Sequence, residues 1–108
     1  MYLVRRVCKT KPGQAWAVAG YLAKICEAYE ENGRDKARIY IEGQGLPGTP
    51  NRVYAEWTQD SIEPNWFSKV PSTVREYNPR LQELLDEYLL EIFEVATAEK
   101  LVERGVAQ

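Results

Sequence analysis

A strict alternation over residues 52–57 constrains the fold more than any other part of the chain. Apolar or small side chains at Val53, Ala55 and Trp57 alternate there with polar or amphipathic ones. A period of two places successive side chains on opposite faces of a β-strand, so this segment predicts a central strand with two different faces. A loop rich in glycine and proline precedes it, and a helix-start signal follows at residues 60–61. We therefore expect a hairpin to lead into this strand and a helix to follow it.

The remaining segments show similarly clear periodicities. In the first half of the chain, the predicted elements are a strand over 2–9, a helix over 14–31 and a strand over 36–42. In the second half, we predict a broken helix over 61–77 with a bend near Pro71, and then a firmer helix that begins at Pro79 and has an apolar stripe reaching Tyr88. A strand over 89–95 follows. The order β-α-β-β-α-β favours a four-stranded antiparallel sheet with both helices on one face and the first and third strands central. This is the ferredoxin-like α+β arrangement. We expect one such domain over residues 1–96 and a C-terminal tail over residues 97–108.

Composition narrows the chemistry that the chain can use. It contains no histidine, which removes the commonest general base and the usual proximal haem ligand. The carboxylates are scattered, and the two cysteines, Cys8 and Cys26, do not have the spacing of metal ligands. Both cysteines are expected to be small buried hydrophobes in a reducing compartment. We predict no metal site and no cofactor.

Charge and hydropathy exclude two further classes of partner. Fourteen basic and sixteen acidic residues are interspersed, so no basic stripe is available for a phosphate backbone, and nucleic acid is not an expected partner. An RNA-recognition module has the same element order, but the segment over residues 52–57 lacks the basic, glycine-containing core of that motif. No apolar run approaches the length of a membrane span, and we expect neither a membrane-spanning segment nor a signal peptide. The predicted location is the cytoplasm.

One face of the predicted sheet has no cover in a single copy, because both helices lie on the other face. Its predicted side chains are Arg38, Tyr40, Glu42, Tyr54 and Glu56, with Arg6 as a further candidate. A face of aromatic and nearly balanced charged groups suits a second copy packed sheet on sheet. We therefore predict a homodimer.

The chain also resembles a known family. The run Gly48-x-x-Asn51-Arg52-Val53-Tyr54-x-x-Trp57-x-x-Asp60-Ser61 resembles the third-strand signature of NIPSNAP-like proteins in the dimeric α+β barrel superfamily, which includes antibiotic-biosynthesis-monooxygenase-like proteins. Arg6, followed by Lys11-Pro12-Gly13, is similar to the opening strand and turn of that family. The resemblance implies a dimer with a small-molecule cavity between sheet and helices in each subunit. Relatives in the superfamily include cofactor-independent monooxygenases and polyketide cyclases.

Large aromatic side chains are numerous for so short a chain. The candidates for substrate binding are Trp16, Tyr21, Trp57, Trp66 and Phe67. They could line a pocket for a flat substrate. The alternative is that they fill the core and the dimer interface.

Arg6 and Glu56 are the main candidates for chemistry, with Tyr40 as a possible proton donor. Arg6 and Glu56 lie on strands predicted to be adjacent and could form a buried pair that shifts the carboxylate pKa. Glu56 would then act as a base while Arg6 orients an acidic or phenolic substrate. A structural ion pair at the dimer seam would explain the same residues.

The glycines of the segment Gly43-x-Gly45-x-x-Gly48 match a dinucleotide-binding fingerprint. That mechanism requires the glycines to lead into a helix N-terminus that meets the pyrophosphate. Here they lead through Pro47 into a strand, so we interpret the segment as a hairpin loop.

The sequence leads to two functional hypotheses. The first, which follows from the resemblance, is a homodimer of pigment-like or antibiotic-like secondary metabolism that binds a planar aromatic or polyketide-like substrate. It would act as a cofactor-independent oxygenase, cyclase or condensation helper. The alternative is a non-catalytic accessory or structural dimer whose cavity is filled by side chains.

Overall fold

Four strands and three helices make up the described part of the chain, residues 1–62 and 70–106 of a computed structural model. The elements are β1 (Tyr2–Thr10), α1 (Ala15–Glu31), β2 (Arg38–Glu42), β3 (Arg52–Gln59), α2 (Ser72–Glu83), β4 (Leu85–Glu94) and α3 (Ala98–Glu103). None of the helices in these residues is both long and apolar enough to cross a membrane.

The strands form one sheet in the order β2-β3-β1-β4, and every neighbouring pair is antiparallel. This confirms the predicted ferredoxin-like arrangement with β1 and β3 in the centre. The register places Arg6 opposite Ala55 of β3 and Leu90 of β4, and it places Arg5 opposite Glu56 and Glu91. Because successive residues of a strand point to opposite faces, Arg5 and Arg6 serve different sides of the sheet.

The core lies between the sheet and the two longer helices. Its buried members are Cys8, Val53 and Ala55 of the sheet, Ala15, Val18, Leu22, Ile25, Cys26, Ala28 and Tyr29 of α1, and Val74 and Leu81 of α2. The spacing of the α1 residues puts them on one stripe of a helix, which is the side turned to the sheet. The opposite face of the sheet, here called the open face, is not covered by a helix among the described residues.

The second half of the chain differs from the sequence prediction. Pro79 does not open the second helix, because α2 begins well before it and contains it. The last strand begins at Leu85, so the prediction of a helical stripe as far as Tyr88 is wrong. Spacing alone fits a helix there, but β1 offers backbone partners as far as Thr10, and pairing satisfies the buried N–H and C=O groups. The broken helix expected over residues 61–77 falls partly on 63–69, outside the described residues.

The glycine-rich segment is the loop that joins β2 to β3, as predicted. Gly43 has a φ of +75°, and a Cβ added there would lie 2.6 Å from the Cα atom of Pro50. A side chain would therefore meet the backbone of the returning strand. This close approach accounts for the glycine without a bound nucleotide.

Candidate functional site

A cluster of two arginines and two aromatic rings lies on the helix side of the sheet. Arg6 projects from the central strand β1 and is 8% exposed. Its Cζ atom lies 5.4 Å from the ring centroid of Trp57 and 5.7 Å from that of Tyr29. The Cζ atom of Arg34 lies 4.4 Å and 3.7 Å from the same two centroids. Both guanidinium groups therefore share one pair of rings, an arrangement we call the arginine cluster.

The end of α1 places Arg34 in this cluster. Gly33 donates its N–H to the carbonyl of Glu30, and Arg34 donates its N–H to the carbonyl of Tyr29. This pair of hydrogen bonds is the Schellman motif, in which the residue after the last helical turn takes a left-handed conformation. Gly33 has a φ of +99°. The motif turns the chain back on itself, so the side chain of Arg34 lies over the ring of Tyr29.

Neither cation of the arginine cluster has an ion-pair partner among residues 1–62 and 70–106. The Nε atom of Arg6 and the Nη1 atom of Arg34 are buried without a hydrogen-bond partner in the same part of the chain. A buried donor without an acceptor costs about 1–3 kcal/mol. The aromatic rings offset part of this cost, because a cation–π contact contributes about 0.5–2 kcal/mol of favourable free energy.

Burial disfavours the charged forms of two thiols and one phenol near the cluster. Burial raises the pKa of Cys8 to about 12, and it also raises the pKa of Cys26 and Tyr88. Burial, followed by the charge of Arg6, lowers the pKa of Arg34. The cluster is therefore a partly buried positive site that forms no ion pair with a carboxylate in the described part of the chain.

The predicted pair of Arg6 with Glu56 is not formed. Glu56 lies on the open face, where its Oε1 accepts a hydrogen bond from the Nε of Arg5 at 2.6 Å. Arg5 also lies 3.5 Å from Glu91 and has its Cζ atom 5.1 Å from the ring of Phe93. The error comes from the period of two, since Arg5 and Arg6 are equally basic and only the register decides which of them meets Glu56.

The open face also carries Tyr40, the predicted proton donor, directly opposite Tyr54. The hydroxyl of Tyr54 donates to Oε1 of Glu42 at 2.6 Å, and this bond lowers the pKa of Glu42. A shallow groove of about 520 Å³ lies between these side chains and the β2–β3 loop. The three residues predicted for catalysis are thus divided, with Tyr40 and Glu56 on the open face and Arg6 on the helix side.

The aromatic candidates are also dispersed. Trp57 is 2% exposed and belongs to the arginine cluster, while Tyr21 packs against Tyr77 with ring centroids 5.9 Å apart. Trp16 is 71% exposed and lines an apolar groove of about 680 Å³ between α1 and β2. Trp66 and Phe67 lie outside the described residues.

Sequence reasoning missed Arg34 as a site residue. A signal was present, because Asn32-Gly33 marks the end of α1 and the Schellman motif returns the next residue toward the last helical turn. Tyr29 has the spacing of the buried stripe of α1, which gives no separate sign of a functional role. Within the described ranges, no three metal-ligating side chains converge on one point.

Solved structures with the same arrangement span nine-tenths of the chain. A NIPSNAP family protein from Agrobacterium tumefaciens superimposes with a TM-score of 0.68 at 12% identity, over 90% of this chain and 94% of that chain. An antibiotic biosynthesis monooxygenase superimposes with a TM-score of 0.69 at 9% identity, over 90% and 100% of the two chains. The chain has the fold of these proteins. A NIPSNAP domain protein from Burkholderia xenovorans has a TM-score of 0.54 at 17% identity, over 91% and 97%.

The likeness to NIPSNAP and antibiotic biosynthesis monooxygenase structures confirms the sequence resemblance at the level of the fold. Because the sequence identities are only 9% to 17%, this structural likeness does not establish a reaction or a substrate for this chain. No protein-family model and no curated protein sequence matches the chain. The functional argument therefore depends on the side chains.

The placement of Arg34 can be tested through the glycine that precedes it. We expect Gly33→Ala to lower the free energy of unfolding by about 1–2 kcal/mol, because an L-residue is strained at a φ of +99°. The matched control is Gly20→Ala in the exposed middle of α1, where an added Cβ meets nothing within 4 Å. That change should raise the free energy of unfolding by about 0.5–1 kcal/mol. Urea unfolding measures both, and equal effects of the two changes would contradict the Schellman assignment.

Proposed function

We propose that this chain is a homodimeric small-molecule-binding protein that takes a planar aromatic or polyketide-like metabolite at the arginine cluster. The observation that carries the proposal is the pair of guanidinium groups packed over the rings of Tyr29 and Trp57 without an ion-pair partner among residues 1–62 and 70–106. Small-molecule sites combine apolar walls with a few convergent polar groups. The cluster supplies both between the sheet and α1.

The reaction we propose is a cofactor-independent oxygenation or cyclisation. One solved structure with this fold is named an antibiotic biosynthesis monooxygenase. Two fixed cations would stabilise the phenolate or enolate form of a bound substrate, since preorganised charge acts where negative charge develops. Arg6 and Arg34 are the groups we assign to that role. The proposed location is the cytoplasm.

The open face supports the homodimer. Its apolar side chains Leu89 and Phe93 are 41% and 40% exposed in the single chain. Two of the ion pairs around them are already formed within the chain, Arg5 with Glu56 and Lys9 with Glu87 at 2.7 Å. A second copy could cover this face without leaving these charges unpaired, which removes the main cost of burying them.

Calorimetric titration with a planar phenol tests the ligand proposal. We expect 2-naphthol to bind the wild-type protein with one site per chain. Trp57→Phe keeps a ring but loses the larger indole, so it should weaken binding by about tenfold, as one lost aromatic contact does. Trp16→Phe is the matched control on the exposed groove and should leave the affinity unchanged.

Two outcomes would count against this assignment. Equal weakening by the two tryptophan variants would move the site away from the arginine cluster. No heat of binding with any planar phenol or acid would favour the accessory dimer with a filled cavity.

A further inference from the structure

The arginine cluster carries positive charge without a carboxylate to pair with it among the described residues, and this indicates the class of ligand that it would bind. Two guanidinium groups share the rings of Tyr29 and Trp57, and no carboxylate lies within ion-pair distance of either among the described residues. Glu30 is near enough to influence Cys26, but it forms no ion pair with Arg34. On the open face, by contrast, Arg5 has both Glu56 and Glu91. Arg5, which has two carboxylate partners, is therefore followed directly by Arg6, which has none among residues 1–62 and 70–106.

We propose that the arginine cluster binds the carboxylate of a planar organic acid. This inference rests on the proposed function and names its substrate class. Guanidinium groups bind carboxylates through short, paired N–H···O bonds, and these bonds are stronger than those to neutral acceptors. The donors assigned to the carboxylate oxygens are the guanidinium N–H groups of Arg6 and Arg34, neither of which forms an ion pair among residues 1–62 and 70–106.

The surroundings favour an organic acid over an inorganic anion. Tyr29 and Trp57 are 8% and 2% exposed, so they provide apolar walls around the two cations. Tyr88 of β4 is paired with the buried Cys8 of β1, so it lies on the helix side of the sheet, and it is 37% exposed. An inorganic phosphate would leave the exposed part of the Tyr88 ring in water, whereas the ring of an aromatic acid would cover it.

The position of the two arginines also separates their roles. Arg6 is fixed by a strand that has paired neighbours on both sides. Arg34 lies on a turn after α1 and is half-buried. Replacement of Arg34 should therefore disturb the ligand more than the fold, so Arg34→Gln is the informative variant.

The test compares a charged ligand with its neutral isostere. We expect 2-naphthoate to bind the wild-type protein at least about tenfold more tightly than 2-naphthamide, the ratio that a charge-assisted hydrogen bond provides. In Arg34→Gln, this ratio should fall to within about twofold, while Arg75→Gln on the exposed face of α2 keeps it. Thermal unfolding of each variant verifies that the fold is retained.

Each result separates this inference from the proposed function. If 2-naphthamide binds as tightly as 2-naphthoate, the carboxylate assignment is wrong while the planar-ligand proposal stands. If inorganic phosphate displaces 2-naphthoate at equal concentration, the site selects an anion rather than an organic acid. If neither naphthalene derivative nor 2-naphthol binds, the proposed function itself fails.

Discussion

Trp57→Ala is expected to lower the free energy of unfolding by about 3–5 kcal/mol, the range for removing a large buried aromatic side chain. Trp57 is 2% exposed, and its Nε1 donates a hydrogen bond to Oε1 of Gln59 at 2.6 Å. Its ring also contacts the guanidinium groups of Arg6 and Arg34. Truncation would leave a cavity and remove an aromatic partner from two cations at once.

The control for this prediction is Trp16→Ala, which removes the same side chain from a surface position. Trp16 is 71% exposed, so its loss should change the free energy of unfolding by about 0.5 kcal/mol or less. Urea unfolding followed by circular dichroism measures both variants. Similar losses in the two would show that Trp57 is not part of the core. Because small domains have only about 5–15 kcal/mol of stability, ligand experiments should use Trp57→Phe rather than alanine.

Glu56→Arg is expected to raise the dissociation constant of the proposed homodimer by at least about hundredfold, or 2.7 kcal/mol. The change removes the acceptor that lies 2.6 Å from Nε of Arg5 and puts a second cation beside it on the open face. Like charges at an interface oppose association strongly because both lose water on binding. Light scattering across a micromolar dilution series measures the effect.

Two further variants make the result specific to the open face. Glu76→Arg makes the same change of charge on an exposed position of α2 and should leave the dimer intact. Arg5→Glu combined with Glu56→Arg restores an ion pair and should recover part of the association, although Glu91 then faces a like charge. A wild-type protein that scatters as a single folded chain would remove the basis of the homodimer proposal.

The sequence predicted the element order and the central strands because its periodicities agree with its turn signals. Where the spacing of apolar residues fits both a helix and a strand, tertiary contacts determine which of the two forms. Leu85 and Tyr88 continue the helical stripe of Leu81, yet they form strand because β1 pairs with them. The choice of Arg5 or Arg6 as the partner of Glu56 likewise depended on a register that no local pattern fixes.

The arginine cluster could be predicted only in part. Arg6 and Trp57 were recognised as candidates, but their common neighbour Arg34 follows the helix and carries no periodicity of its own. Its contact with Tyr29 arises from three hydrogen-bonded residues at the end of α1. Such a contact is local in sequence, yet it becomes a site only when β1 and β3 bring Arg6 and Trp57 to the same place.

The two arginines of the cluster lie on different kinds of backbone structure, Arg6 on a central strand and Arg34 on the turn after α1. Arg6 belongs to a strand with partners along both edges, so its replacement disturbs the centre of the sheet. Arg34 belongs to a short turn that closes on itself through backbone bonds alone. If Arg34 contacts the ligand as we propose, a single exchange at residue 34 would change ligand preference while the backbone bonds that form the turn are retained.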